Sequence, residues 1–310
     1  MLTTLGRVTN EAPGLPDAVL SGLAAMVGAG LLVGIAPAAD LAGTWLLAGL
    51  VLAAPIALAC GLSTSDRATP LLVLGRSAAA AGIAAAFGRY LVPEHPVPAA
   101  VAVLAVTTAL TAAGVTPTRT LVRAGTVVVL AVLVVFVAAC FAISPPVNAP
   151  GSDNPGGLPA ATALLVFGFL GADRKLHTPR HRLVTIGAAL LLYLAVAGAA
   201  LRQLGSARLA LSPVPLRDAL IAADASGLDR VLTVGAALAT VLALLSVLSD
   251  VRADTTPVLT VVAGAAAVLG ALLVSVQVLM AAAVALVLGH QLLVRWRRWS
   301  ERTRARSTRY

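Results

Sequence analysis

Charge is what this 310-residue sequence has least of for its size: 11% of its residues are Asp, Glu, Lys or Arg, where a soluble domain carries roughly 25%. That supply cannot cover the surface of a chain this long, which excludes an ordinary water-soluble globular protein. A hydrophobic content of 59% excludes a disordered chain as well. Cysteine is nearly absent. Cys60 and Cys140 are the only two, each inside an apolar stretch, so neither a disulfide framework nor a thiolate metal cluster is expected. Aromatic residues make up 4%. What is there instead is long apolar sequence, with a mean hydropathy of +0.96, and the surface implied by these figures faces lipid. The formal charge of +9 would suggest a nucleic-acid partner in a soluble protein. Here the basic residues border apolar runs, which is how a membrane protein fixes its orientation, and no nucleic-acid partner is expected.

Stretches without Asp, Glu, Lys or Arg run 18–39, 41–65, 77–88, 96–118, 124–152, 154–172, 183–201, 231–249 and 255–294. A helix needs about 20 residues to cross the hydrocarbon core, so most are single spans. The last is long enough for two helices with a tight turn near Ser275 to Gln277. The short run 77–88 becomes a span if Arg76 and Arg89 snorkel to opposite interfaces. The expectation is an all-α integral membrane protein of ten helices: 18–38, 42–63, 70–91, 97–114, 120–143, 157–172, 183–201, 228–249, 257–274 and 277–295.

With the amino terminus inside, 17 of the 22 basic residues fall on the inner side, seven of them in the tail from Arg295 to Arg309. The other five are Arg89, Arg202, Arg208, Arg217 and Arg230. This asymmetry predicts both termini cytoplasmic, in the plasma membrane. The chain divides into a cytoplasmic segment 1–17, a first five-helix half 18–143, an outer loop 144–156, a second half 157–295 and a basic tail 296–310. The second half carries an outer connection, 202–230, whose Asp218, Asp224 and Asp229 predict a structured amphipathic segment. The first apolar run has full span length and follows Glu11 and Asp17, so it reads as a retained helix rather than a cleaved signal.

Glycine interrupts two spans. The first reads Met26-Val27-Gly28-Ala29-Gly30-Leu31-Leu32-Val33-Gly34, with Pro37 following, and the sixth reads Phe167-Gly168-Phe169-Leu170-Gly171-Ala172-Asp173. These are the first helices of the two halves. Paired broken helices at matching positions point to a midplane binding site of the kind secondary transporters use. Unwinding frees backbone N–H and C=O groups that lipid cannot satisfy and a polar ligand can. Close helix packing is the other reading of the same glycines, since Gly30 to Gly34 is a small-xxx-small pattern.

The sequence at these residues resembles the amino acid-polyamine-organocation superfamily of permeases. Gly28-Ala29-Gly30-Leu31-Leu32 is similar to the family's Gly-Ser-Gly and following apolar residues, and Phe167 to Asp173 to its sixth-helix motif. Thr178-Pro179-Arg180 resembles a shortened Asn-Pro-Arg loop, and weaker likenesses lie at Gly114 to Arg123 and at Ser212 to Leu216. The resemblance implies two inverted five-helix repeats with helices 1 and 6 broken, moving an amino acid or related small organic amine. Substrate would be held at Gly28, Ala29, Gly30, Gly168, Phe169 and Gly171. N–H groups from Gly28 to Leu31 would receive a carboxylate and carbonyls around Gly168 to Gly171 an ammonium, with Phe167 or Phe169 closing the site. Most family members have twelve helices, and the stretch from Asp173 to Pro179 is shorter than theirs. The alternative is therefore a degenerate, non-transporting permease-like protein acting as partner subunit, sensor or scaffold.

Other chemistry is sparse. No span is expected to hold a deep ionisable residue, residues 124–143 contain no Lys, and the coupling ion is not identified. Thr233, Thr240, Ser246 and Ser249 offer oxygens for a sodium ion or bond their own backbone. Asp173, His177 and His181 have metal-like spacing, but Pro179 breaks the helix such a site needs, so no metal is expected. His95 and His290 read as interfacial, and Trp296 and Trp299 among the tail arginines as a membrane anchor. No catalytic constellation or cofactor motif appears, so an enzyme is not expected and no cofactor is implied.

Overall fold

The computed structural model describes residues 14–61, 69–145, 153–172 and 178–307. Eleven α-helices and no strand occur among them: α1 (Leu15–Ala42), α2 (Leu46–Gly61), α3 (Pro70–Leu91), α4 (Pro96–Ala112), α5 (Arg119–Ala142), α6 (Leu158–Val166), α7 (Pro179–Leu211), α8 (Pro215–Ala222), α9 (Asp229–Asp254), α10 (Pro257–Leu273) and α11 (Val276–Ser307). A 3-10 segment, Phe167–Ala172, continues α6.

Three of these starts are written into the sequence as Thr-Pro. Thr69, Thr178 and Thr256 each cap a helix whose first residue is proline, and their hydroxyls accept from the N–H groups of Leu72, His181 and Leu259 at 3.3–3.4 Å. Proline has no N–H to leave unsatisfied at that position, and the threonine satisfies one that would be orphaned. Charge-free length does the rest. The expected span 70–91 coincides with α3, and the tight turn expected near Ser275 lies between α10 and α11.

Six segments are long and apolar enough to cross a membrane: Gly30–Ala59, Pro70–Leu91, Arg119–Ala142, Pro179–Leu211, Ser226–Asp254 and Val276–Glu301. Four shorter apolar helical segments accompany them. Large apolar side chains cover the outside, with Leu191 70%, Val258 74% and Leu273 80% exposed. The interior is lined largely by alanine, as at Ala80, Ala84, Ala197, Ala200 and Ala243. Apolar outside and small inside is the arrangement lipid demands, because hydrocarbon gives no hydrophobic reason for helices to associate and close van der Waals packing must hold them. The chain is an all-α membrane protein.

Helices α1, α3 and α9 form the centre. α1 packs on α7, α9, α6 and the 3-10 segment; α3 packs on α11, α4, α9 and α10; α9 also packs on α5 and α4. The connection 202–230 is structured. α7 runs on to Leu211 through a kink at Gly205, whose φ of 70° and ψ of 165° suit glycine alone. α8 then buries Leu216, Ala219 and Leu220 against its neighbours.

One expectation is corrected outright. α1 is not broken at Gly28 to Leu31: it is helical from Leu15 to Ala42, with Pro37 inside. Its glycines let neighbouring backbones come close, so the packing reading of the small residues is the one realised there. The sixth helix is interrupted, because its α-helical part ends at Val166 and tightens into the 3-10 segment.

Candidate functional site

The interrupted helix meets α1 backbone to backbone. A Cβ added to Gly30 would lie 2.4 Å from Gly168 Cα and 2.7 Å from the Tyr193 hydroxyl oxygen. Glycine on both sides is thus a geometric requirement of this contact. Gly28 faces elsewhere: its missing Cβ would lie 2.1 Å from the Ala239 carbonyl oxygen on α9. The Gly-Ala-Gly run therefore joins α1 to two different partners, two residues apart.

Tyr193 of α7 completes the junction. Its side chain is 2% exposed, and its hydroxyl lies 2.6 Å from the Met26 carbonyl oxygen on α1 and 2.9 Å from the Gly168 carbonyl oxygen. The Phe169 ring stands 5.1 Å from the Tyr193 ring at 51°, a tilted packing that fixes the phenol's approach. Three oxygens from three elements converge here, two of them backbone carbonyls. Such a place presents acceptors and asks for donors. No formal charge belongs to it.

Of the site residues expected from sequence, Gly30, Gly168 and Phe169 come together at this junction. Leu31 and Phe167 are buried near it, and Gly28 packs on α9. Ala29 lies on α1 and Gly171 on the 3-10 segment; their surroundings are outside the described residues. The N–H groups from Gly28 to Leu31 belong to a continuous helix, so in this conformation they point along α1 to its own carbonyls rather than at a carboxylate. A cavity of about 30 Å³ lies further along α1, among Leu32, Val33, Pro37, Arg89, Ser212 and Val276. It is on the scale of a single water.

A second polar place was not legible in the sequence. Arg76 on α3 donates to Asp254 of α9 at 2.8 Å and to the Asp250 carbonyl at 3.2 Å. The Asp254 side chain is 5% exposed and that of Arg76 15%. His290 of α11, 1% exposed, lies with its Nδ1 2.7 Å from the Thr69 hydroxyl at the start of α3. Arg76 thus reaches the last residue of α9, and His290 is buried among helices beside the start of α3. Arg76 and Asp254 neutralise one another only once α3 and α9 are side by side, 178 residues apart in sequence. Neither an arginine nor a histidine in an apolar run carries a sign of such partners in sequence.

The remaining candidates resolve locally. Thr233 and Thr240 donate to carbonyls four residues earlier on α9, at 2.8 Å each, while the Ser249 hydroxyl is buried without a hydrogen-bond partner. Asp173 and His177 lie outside the described residues, and His181 is in the first turn of α7. No group of three or more metal-ligating side chains occurs among the described residues. Cys140 is buried, and the Gln203 amide of α7 donates to its carbonyl. Tyr193 was missed by sequence reasoning although a signal existed. A tyrosine midway along an apolar span needs a partner for its hydroxyl, because lipid offers none.

No family model matches the chain. Curated proteins from Mycobacterium bovis and from two strains of Mycobacterium tuberculosis, all described as uncharacterized transporters, are 32% identical to it over 282 residues, covering 78% of this chain. The chain spans 64% of the length of these relatives, and what it is similar to is therefore a large part of an uncharacterized mycobacterial transporter.

Proposed function

We propose that the chain is a secondary-active permease for an amino acid or related small organic amine, working by alternating access around α1 and the interrupted sixth helix. The observation that carries this reading is the junction itself: a 3-10 segment pressed on a glycine of α1, with carbonyl oxygens of both elements turned to a common point. A 3-10 segment has poorer hydrogen-bond geometry than an α-helix and is the natural place for such a helix to move. The relatives described as transporters support the same class.

The helix neighbours support the two-repeat organisation, 18–143 and 157–295. Exchanging the first five spans for the second five turns the pair α1 and α7 into α6 and α2. It turns α3 and α11 into α9 and α5, and α3 and α10 into α9 and α4. All of these pairs are packed together. In this reading the protein spans the plasma membrane ten times with both termini cytoplasmic, uses no cofactor and catalyses no covalent chemistry.

A second reading, a permease-like partner subunit, sensor or scaffold that does not transport, is favoured by one observation: the junction is shut, its acceptors already engaged by Tyr193. Uptake of labelled amino acids into proteoliposomes separates the two. Saturable accumulation is expected for the permease. Absence of uptake for all amino acids and for simple amines, together with reproducible recovery of another membrane protein bound to this one, would establish the second reading instead.

A further inference from the structure

The permease reading leaves open what role falls to the hydroxyl that meets the two carbonyls of the junction. The carbonyls of Met26 and Gly168 lie 2.6 and 2.9 Å from one hydroxyl oxygen. A phenol has a single proton to donate, so it can serve both acceptors only by sharing. An ammonium brings three donors and a positive charge, and charge-assisted hydrogen bonds are roughly twice as strong as neutral ones. The junction is thus better suited to a protonated amine than to the group now in it.

Its surroundings fit the same ligand. Gly30 and Gly168 leave only backbone on two sides. The Phe169 ring packs 5.1 Å from that of Tyr193, which leaves the rest of the lining uncharged. No acidic side chain of the described residues contributes to these contacts, so selection for an amine rests on uncharged acceptors.

We infer that Tyr193 is a built-in occupant of the amine position: in the empty protein its hydroxyl bridges α1 and the 3-10 segment, and a ligand carrying a protonated amine takes over the two carbonyls by displacing it. The inference rests on the permease reading and adds to it a gating and specificity residue on α7, outside the glycine motifs of α1 and the sixth helix. The ligand competes with an internal group, so amines gain and neutral analogues of the same shape do not. A merely structural tyrosine would lower stability when removed and leave ligand response alone.

The test uses the full chain purified in detergent, compared with Tyr193→Phe, which removes the hydroxyl and keeps the ring. Hydrogen exchange reads the bridge without any ligand, and thermal stabilisation by the standard amino acids, by methylammonium and by neutral acetamide reads the competition. The expected result is faster exchange in Tyr193→Phe confined to the segments around Met26 and Gly168. It is accompanied by amine binding roughly 2- to 10-fold tighter than in the unsubstituted protein, the worth of one net hydrogen bond, with acetamide inert in both. An amino acid or amine that stabilises both proteins equally, or Tyr193→Phe less, overturns the displacement and leaves the permease reading standing. If no amine stabilises either protein, the ligand reading itself fails. Should Tyr193→Phe not fold, Phe169→Leu loosens the ring's support while keeping the hydroxyl and is expected to shift both readouts in the same direction by a smaller factor; no shift in either overturns the inference.

Discussion

The Tyr193 junction and the Arg76–Asp254–His290 cluster are both buried polar places made by distant parts of the chain, and they are built in opposite ways. The junction sets one phenol against two backbone carbonyls and holds no formal charge. The cluster brings an arginine, an aspartate and a histidine together on α3, α9 and α11. Backbone acceptors satisfied by a single hydroxyl can be exposed and covered again at modest cost, because interhelical hydrogen bonds in membrane proteins are worth about 0.6 kcal/mol on average. A buried ion pair cannot be opened so cheaply, since each partner left alone is an uncompensated charge. The difference assigns movement to the first place and anchorage to the second.

That contrast can be broken most severely at the anchor. Asp254→Ala leaves Arg76 without its carboxylate in the packed interior, and a loss of about 3–5 kcal/mol is expected, read by unfolding in mixed detergent. Replacing both partners, Arg76→Met with Asp254→Leu, should recover most of that loss. A double variant as unstable as the single one would mean that the pair is more than a neutralised contact. Gly30→Ala comes next. Its Cβ would stand 2.4 Å from Gly168 Cα, so α1 and the 3-10 segment must separate at a cost of about 1–3 kcal/mol. A melting temperature equal to the unsubstituted protein's would show that the two backbones are not held in this contact.

Thr69→Ala has a smaller expected effect because it removes one cap and one side-chain partner of His290, for about 1 kcal/mol. Combined with His290→Phe it should cost less than the two changes added separately, since they share one interaction. The smallest effect lies outside the spans, at Asp153, which accepts from the Thr44 N–H at 2.9 Å. That bond holds the Asp153 carboxyl below its ordinary value of 3.8. A carboxyl whose folded-state pKa is depressed contributes fully above its unfolded value and loses the contribution as pH falls through the folded one. The melting difference between the unsubstituted protein and Asp153→Asn should be constant at neutral pH and vanish in acid below pH 3.8. A difference that persists there would place its origin elsewhere.

Much of the scaffold could be read from the chain. The charge-free runs located most of the helices, although α7 begins at Pro179 and runs to Leu211 rather than over 183–201, and the glycines singled out α1 and the 3-10 segment that meet at the junction. What glycine does at each site could not be read. Met26 to Gly30 permits both an unwound segment and a tightly packed helix, because the residue that tolerates unusual backbone angles is also the one that leaves room for a neighbour. α1 stayed α-helical, the sixth helix tightened to 3-10, and Gly30 and Gly168 serve close packing in both. His290 shows the same limit in another form. Its place in an otherwise apolar stretch near a basic tail gave no sign of the Thr69 hydroxyl, which arrives from the start of α3 and partners its ring.

The sequence by itself determined the solvent and the approximate places of most helices, since these depend on where charge is missing. The tertiary structure alone decided which polar groups meet. A carbonyl, a hydroxyl or a carboxylate reports nothing in sequence about its partner, and in lipid the partner decides whether the group can be buried at all. Tyr193 found carbonyls of α1 and of the sixth helix, and Arg76 found Asp254.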